Sequence, residues 1–261
     1  MSDHIGLSTL TYKSDAILDR RRRILKETRR LIAETGYSGF NIRELCARAE
    51  IAPKTLYNAF GNKDNVVASA VQEFISDTYA DAHFHFEASN IDGFLERQNR
   101  IHSRNQLLGR YTKAIVAVYY SSDSCNVIRT KIRNEAGRWH DAFTTAIEAE
   151  GGLQPGVTTE WISDLLCSNA FSITKDWACG DIPDEQFLDR VAETALMVLV
   201  GTTRGRVNQD ARRWIEDIRG QRASWISLRN MTTYNEQDEL AEVFDPPSED
   251  VAVSATARGA S

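Results

Sequence analysis

Residues 40–67 read FNIRELCARAEIAPKTLYNAFGNKDNVV. Asn41 stands three residues ahead of Glu44, as in a capping box, where a side-chain oxygen accepts from the free amides of a helix's first turn. Ile42, Leu45, Cys46 and Ala49 then recur at helical spacing. After the turn Glu50-Ile51-Ala52, Pro53 suits the first position of a new helix, where its missing N–H costs nothing. Leu56 and Phe60 sit four apart and face inward. Gly61 breaks the chain, Asn62 caps again, and Asp64 favours the positive end of the next helix. The stretch predicts two short helices joined by a tight turn, with a third helix beginning behind them. The middle one, residues 53–60, carries Lys54, Thr55, Tyr57 and Asn58 among its apolar anchors. A short, donor-rich helix held against a scaffold helix is what a protein needs to lay side chains into the DNA major groove.

Upstream, Ile17, Ile24, Thr28, Leu31 and Ile32 recur at helical spacing. Arg20, Arg21, Arg22, Arg23, Lys26, Arg29 and Arg30 fill much of the remainder, so residues 14–35 predict a basic helix. Gly36 and Gly39 mark its end. Residues 1–13 are polar and patternless, which predicts a flexible arm. Downstream the pattern stays helical: residues 62–80, then 91–105 and 106–121 as two helices or one kinked helix. Further helices follow at 127–149, 158–178, 184–203 and from 208 through Trp225 and Ile226. No stretch alternates with period two between hairpin turns, so the predicted fold class is all-α. Residues 230–261 turn acidic and then Ala/Ser/Gly-rich, the composition of a disordered tail. The expected organisation is an arm (1–13), a helix-turn-helix domain (14–61), a larger helical domain (62–229) and the tail (230–261).

Charge supports the same division. The chain of 261 residues has a net charge of -6, yet residues 1–65 hold 12 Lys plus Arg against 8 Asp plus Glu, and the remainder holds 19 against 29. Phosphate binding needs a local basic surface, so the split matters more than the total. The longest apolar run, residues 195–200, is far too short to span a bilayer, and no signal-like architecture opens the chain. A cytoplasmic protein without membrane association is expected. Cys46, Cys125, Cys167 and Cys179 form no Cys-x-x-Cys pair and read as reduced, gap-filling side chains.

On residues 41, 42–45, 46, 47, 49, 51, 55–57, 60, 63, 64 and 66, the segment from 14 to 75 resembles the DNA-binding domain of the TetR family of bacterial one-component transcriptional regulators. The resemblance implies a helix-turn-helix head followed by a variable helical domain for ligand binding and dimerisation. Carried over residue by residue, it implies phosphate contacts for Tyr57, Lys63 and Asn41, and a backbone or base contact for Thr55. Lys54 and Asn58 are the candidates for base edges, because Lys donates to guanine and Asn pairs with adenine; Arg43 is a candidate from the second helix. It also implies a homodimer whose helices at 158–178 and 184–203 form a four-helix contact, with stripes including Leu165, Leu166, Val191, Leu196 and Leu199. Such a dimer would read a palindromic operator on double-stranded DNA. Two positions depart from the family pattern. Glu50 replaces a turn glycine, and Ala52 replaces a Ser or Thr cap.

For a small-molecule effector, apolar or aromatic, the candidate pocket residues are His102, Tyr111, Trp139, Phe143, Asn169 and Trp177, with His140 as a further polar group. His83-Phe84-His85-Phe86 is a poor metal box, since positions two apart point to different faces of a helix; no metal and no cofactor are expected. No phosphate loop, nucleophile elbow, His-Glu-x-x-His or dinucleotide fingerprint occurs, so the chain does not read as an enzyme. Repression relieved by the effector is the leading reading. An all-α small-molecule-binding protein or enzyme of the same fold without operator binding is the alternative, and activation in place of repression stays open.

Overall fold

A computed structural model describes residues 5–80, 83–120 and 126–232. Expectations for residues 1–4, Cys125 and the tail from 233 lie outside them. Eleven helices run through the described residues: α1 (Ile5–Gly39), α2 (Ile42–Arg48), α3 (Pro53–Phe60), α4 (Lys63–Ala80), α5 (Ile91–Leu107), α6 (Gly109–Tyr120), α7 (Asn126–Ala149), α8 (Thr159–Cys179), α9 (Asp184–Thr202), α10 (Arg206–Arg219) and α11 (Ala223–Thr232). There is no strand among them, only an isolated bridge between Leu153 and Thr203. The all-α class holds.

Several ends fall where the sequence places them. Asn41 Oδ1 accepts from the Arg43 amide at 2.8 Å, and Thr158 caps α8. Gly36 takes φ 66, a left-handed conformation open to glycine, and interrupts α1 where the stop is predicted. Others differ. α1 starts at Ile5, ahead of the expected Ser14, because residues 5–13 hold no proline to stop a helix continuing upstream. Ile17 belongs to the predicted apolar stripe but is 60% exposed, since the core under α1 begins only at Ile24. The last predicted helix is two, split at Gly220 and Gln221, where Gln221 adopts φ 46.

Two main cores form. The first joins Ile24, Leu31, Leu45, Leu56 and Phe60 of the head to Val67 and Val71 of α4, and continues without a break into Tyr111 and Ile115 of α6 and Ile132 of α7. Packing is therefore continuous across the expected boundary at residue 61. The second gathers Phe94, Phe143, Ile162, Leu196, Leu199, Trp214 and Trp225 from α5 and α7–α11. Leu166, Val191, Leu196 and Leu199, expected at a partner contact, are instead 0–2% exposed inside this chain. The reasons differ along the stripe: Leu196 and Leu199 share a core with α5 and with α10 and α11, which pack beside α9 and α5, Leu166 joins that core from α8, and Val191 packs in a smaller cluster with Trp177, Phe187 and Leu188. Of the named stripe residues only Leu165 is half-exposed.

α5 runs against its own composition. Glu96, Arg97, Gln98, Asn99, His102, Ser103 and Arg104 are all buried. Backbone groups supply many of their partners. Glu96 accepts from the His85 and Phe86 amides at 2.9 and 3.0 Å, Arg97 donates to Phe86 and Gly93 carbonyls, and Arg104 donates to the Phe74 carbonyl at 2.9 Å. Buried charge is tolerable when hydrogen-bonded in this way.

Candidate nucleic-acid interface and effector cavity

The head is built around the α2–α3 turn. Ala49 caps α2, the Glu50 amide donates to Ala47 O at 3.2 Å, and the Ile51 amide donates to Cys46 O at 3.0 Å. This is the Schellman closure, whose first residue past the cap must adopt a left-handed conformation. Glu50 does so at φ 53 without glycine's freedom. Ala52, at the N-cap of α3, makes no side-chain hydrogen bond. Both departures thus carry a local cost. Glu50→Gly and Ala52→Ser are each expected to raise stability by about 1 kcal/mol in urea unfolding. No gain from either would mean that the turn is relaxed as it stands.

Leu56 and Phe60 anchor α3 to the core, leaving Lys54, Tyr57 and Asn58 exposed and Thr55 half-buried. Asn41 and Arg43 at the start of α2 are exposed as well, although the Asn41 oxygen is already engaged as the cap. Sequence left the place of the arginine run open; the fold settles part of it. Arg20 and Arg21 of α1 line one shallow groove together with Thr55, Asn58 and Ala59 of α3. Arg21 lies 4.9 Å over the Phe60 ring, and Arg23 donates to the Ala49 carbonyl at 2.9 Å, clamping the end of α2. Thr55 and Asn58 of α3 therefore have guanidinium groups beside them.

Lys63 sits differently from the other expected contacts. Its ammonium donates to Tyr37 O at 2.9 Å and lies 4.3 Å from the Tyr37 ring centre. Burial lowers its pKa. The Tyr37 hydroxyl in turn bonds Asp64. The start of α4 is stitched to the end of α1 by these contacts, so Lys63 orients the head as well as adding charge.

α4 leaves the head tied on both sides. Glu73 pairs with Arg29 of α1 at 2.7 Å, while Gln72 and Ser76 donate to Glu135 of α7 at 2.7 and 3.3 Å. Val71, Phe74 and Ile75 of the same helix form one wall of a cavity of about 90 Å³. α5, α6, α7 and α8 form the rest. Of the expected pocket residues, His102, Tyr111 and Trp139 line it, as does His140. Phe143, Asn169 and Trp177 do not. Phe143 stacks on Phe94 at 4.8 Å in the second core, Asn169 donates to Thr194 at 2.7 Å, and Trp177 stacks on Phe187 at 4.7 Å and donates to Asp184 at 2.6 Å. Each is turned away by a partner on another element, which no helical period reveals. Gln98 was not anticipated; its amide lies 2.9 Å from His140 Nε2. Its polar neighbours along α5 look like a solvated face, so the sequence carried no signal for it.

The cavity's two imidazoles are neutral. Burial lowers the His102 pKa to about 3 and that of His140 to about 4. His85, from the rejected metal box, instead binds Glu96 through Nδ1 at 2.8 Å, and Phe84 packs edge-on to Trp139. Among the described residues, no helix is long and apolar enough to cross a membrane.

Residues 24–70 match the family model of bacterial regulatory proteins, tetR family. The HTH-type transcriptional repressor DhaR of Mycobacterium sp. (strain GP1) is 21% identical over 159 residues, 57% of this chain and 77% of that protein. The native full-length TylP, a TetR regulator from Streptomyces fradiae, superposes with a TM-score of 0.53 at 15% identity, covering 78% of this chain and 98% of that one. FadR from Bacillus subtilis, a transcriptional regulator solved in complex with stearoyl-CoA, gives 0.51 at 18% identity, covering 69% and 98%. At such identities the two structures share the fold with this chain.

Proposed function

Because this chain carries the DNA-binding domain of the TetR family of bacterial transcriptional regulators, we propose that it is a ligand-responsive repressor. In this reading it binds a palindromic operator as a homodimer and is released when a small apolar or aromatic effector occupies the cavity. The single observation that carries the proposal is the double role of α4. Val71 and Phe74 belong to the core of the head and also wall the cavity. A guest that fits one tilt of α4 better than another shifts the spacing of two reading heads, and the size of that shift is set by the difference in affinity. The ligand-bound state of the FadR relative supports a small-molecule response in this fold.

For the DNA side, α3 is the proposed reading helix, with Lys54, Thr55, Tyr57 and Asn58, and with Asn41, Arg43 and Lys63 at its borders. A gel shift with salt titration tests the reading, because an operator reader must show a steep salt dependence and a preferred site. Lys54→Ala is expected to change base preference. Lys63→Ala is expected to weaken all sequences alike and lower the salt slope by about one. If neither variant moves the binding profile, α3 is not the reading helix. Absence of any specific site would favour the alternative, a small-molecule-binding protein that kept the fold without operator binding.

For the partner contact, the residues available are the outward ones on α8 and α9. Trp161 and Met197 are 52% and 44% exposed, large apolar side chains on two packed helices, with half-exposed Leu165 between them in sequence. We place the dimer face there.

A further inference from the structure

We infer that the cavity is built for an uncharged, ring-sized molecule bearing one hydroxyl group, which pairs with Nδ1 of His102. The inference rests on the effector reading above and narrows it to a chemical class.

Charge is the first constraint. No Lys, Arg, Asp or Glu lines the cavity. Its two histidines are held neutral by burial, so neither offers an anion a counter-charge. An ionised guest would lose its hydration and gain no ion pair, which excludes carboxylates, phosphate esters and ammonium compounds.

Hydrogen bonding is the second. The polar groups of the wall mostly satisfy one another. Gln98 pairs with His140 Nε2, and the Cys167 sulfur lies 4.0 Å from His140 Nδ1. Thr112 donates to the Asn105 carbonyl, and Thr174 to that of Ala170. His102 stands apart from these: it is 6% exposed, lines the cavity, and its Nδ1 is buried with no hydrogen-bond partner among the described residues. A neutral imidazole nitrogen is a donor in one tautomer and an acceptor in the other. A hydroxyl group serves both, since it donates and accepts.

Size and shape are the third. Phe74, Tyr111, Trp139 and Phe171 give the cavity aromatic walls. An engineered apolar cavity of about 150 Å³ holds benzene. A space of about 90 Å³ is smaller, so a single ring enters only if a wall yields. One of those walls is α4, which leads to the reading head.

The test is calorimetric titration of the full chain with three probes of similar outline: phenol, toluene and benzoate. Phenol is expected to bind most tightly, toluene on the order of 10-fold more weakly for want of the hydrogen bond, and benzoate not at all. His102→Phe is expected to abolish the preference for phenol over toluene, and His102→Asn to keep part of it. The wild-type ranking stands as a test even if either variant misfolds. Benzoate binding as well as phenol, toluene matching phenol, or failure of all three to bind would each overturn the inference. The effector reading is scored separately, by adding phenol to a gel shift on a DNA site selected in vitro. Phenol bound with the expected ranking but leaving the DNA complex intact sinks the effector reading and leaves the cavity assignment standing.

Discussion

Met197→Glu is expected to turn the protein into a monomer in sedimentation and to cut affinity for a two-half-site operator by at least about 100-fold. α8 and α9 are joined by a four-residue connection and pack antiparallel, with Asn169 bonded to Thr194. Met197 lies about one turn beyond that bond, toward the Trp161 end of α8. Trp161 and Met197 are 52% and 44% exposed on these packed helices, so both offer apolar area to a partner. A carboxylate at the centre of an apolar contact faces its own copy across a two-fold axis, so its desolvation and like-charge repulsion are counted twice. With the heads unlinked, the second half-site loses its effective concentration, and the large fall in affinity follows without any change to α3. Circular dichroism should stay unchanged, because Met197 touches solvent in the single chain. A dimer that survives Met197→Glu would move the partner contact elsewhere.

Gly93→Ala is expected to cost about 3 kcal/mol and to lower the melting temperature by about 6–12 °C. Nothing about the sequence Asn90-Ile91-Asp92-Gly93 suggests this, since alanine is the better helix former. The cause is the loop folded over the start of α5. A Cβ on Gly93 would lie 2.0 Å from the Glu87 carbonyl oxygen and 2.7 Å from its carbon, both backbone atoms. That loop has little room to retreat. Glu96 holds the His85 and Phe86 amides, Arg97 holds the Phe86 carbonyl, and Asn90 Oδ1 accepts from the Gly93 amide at 2.8 Å. Relief of the clash requires breaking bonds to a carboxylate that is 1% exposed. A change under about 1 kcal/mol in urea unfolding would show that the loop yields freely.

The helix-turn-helix head was legible because its signals are local. Caps, a turn proline, and apolar residues three and four apart act within a few residues, so Asn41, Pro53, Leu56 and Phe60 do in the fold what their spacing implies. The cost at Glu50 was legible too, because a Schellman closure demands one backbone conformation whatever surrounds it. Lys63 was less so. Its ammonium finds the Tyr37 carbonyl 26 residues away, and no local rule announces that contact.

What the chain determined by itself is the all-α class, the sites of most helix ends, and the helix-turn-helix whose second helix is proposed to read DNA, since backbone hydrogen bonding and capping depend on near neighbours. Tertiary structure alone decided which amphipathic faces meet. It enclosed the polar run of α5, drew Phe143, Asn169 and Trp177 away from the cavity, and left His102 Nδ1 buried there with no hydrogen-bond partner among the described residues. A helical period fixes the angle at which a side chain leaves its own axis, while burial depends on what the other helices bring to that side.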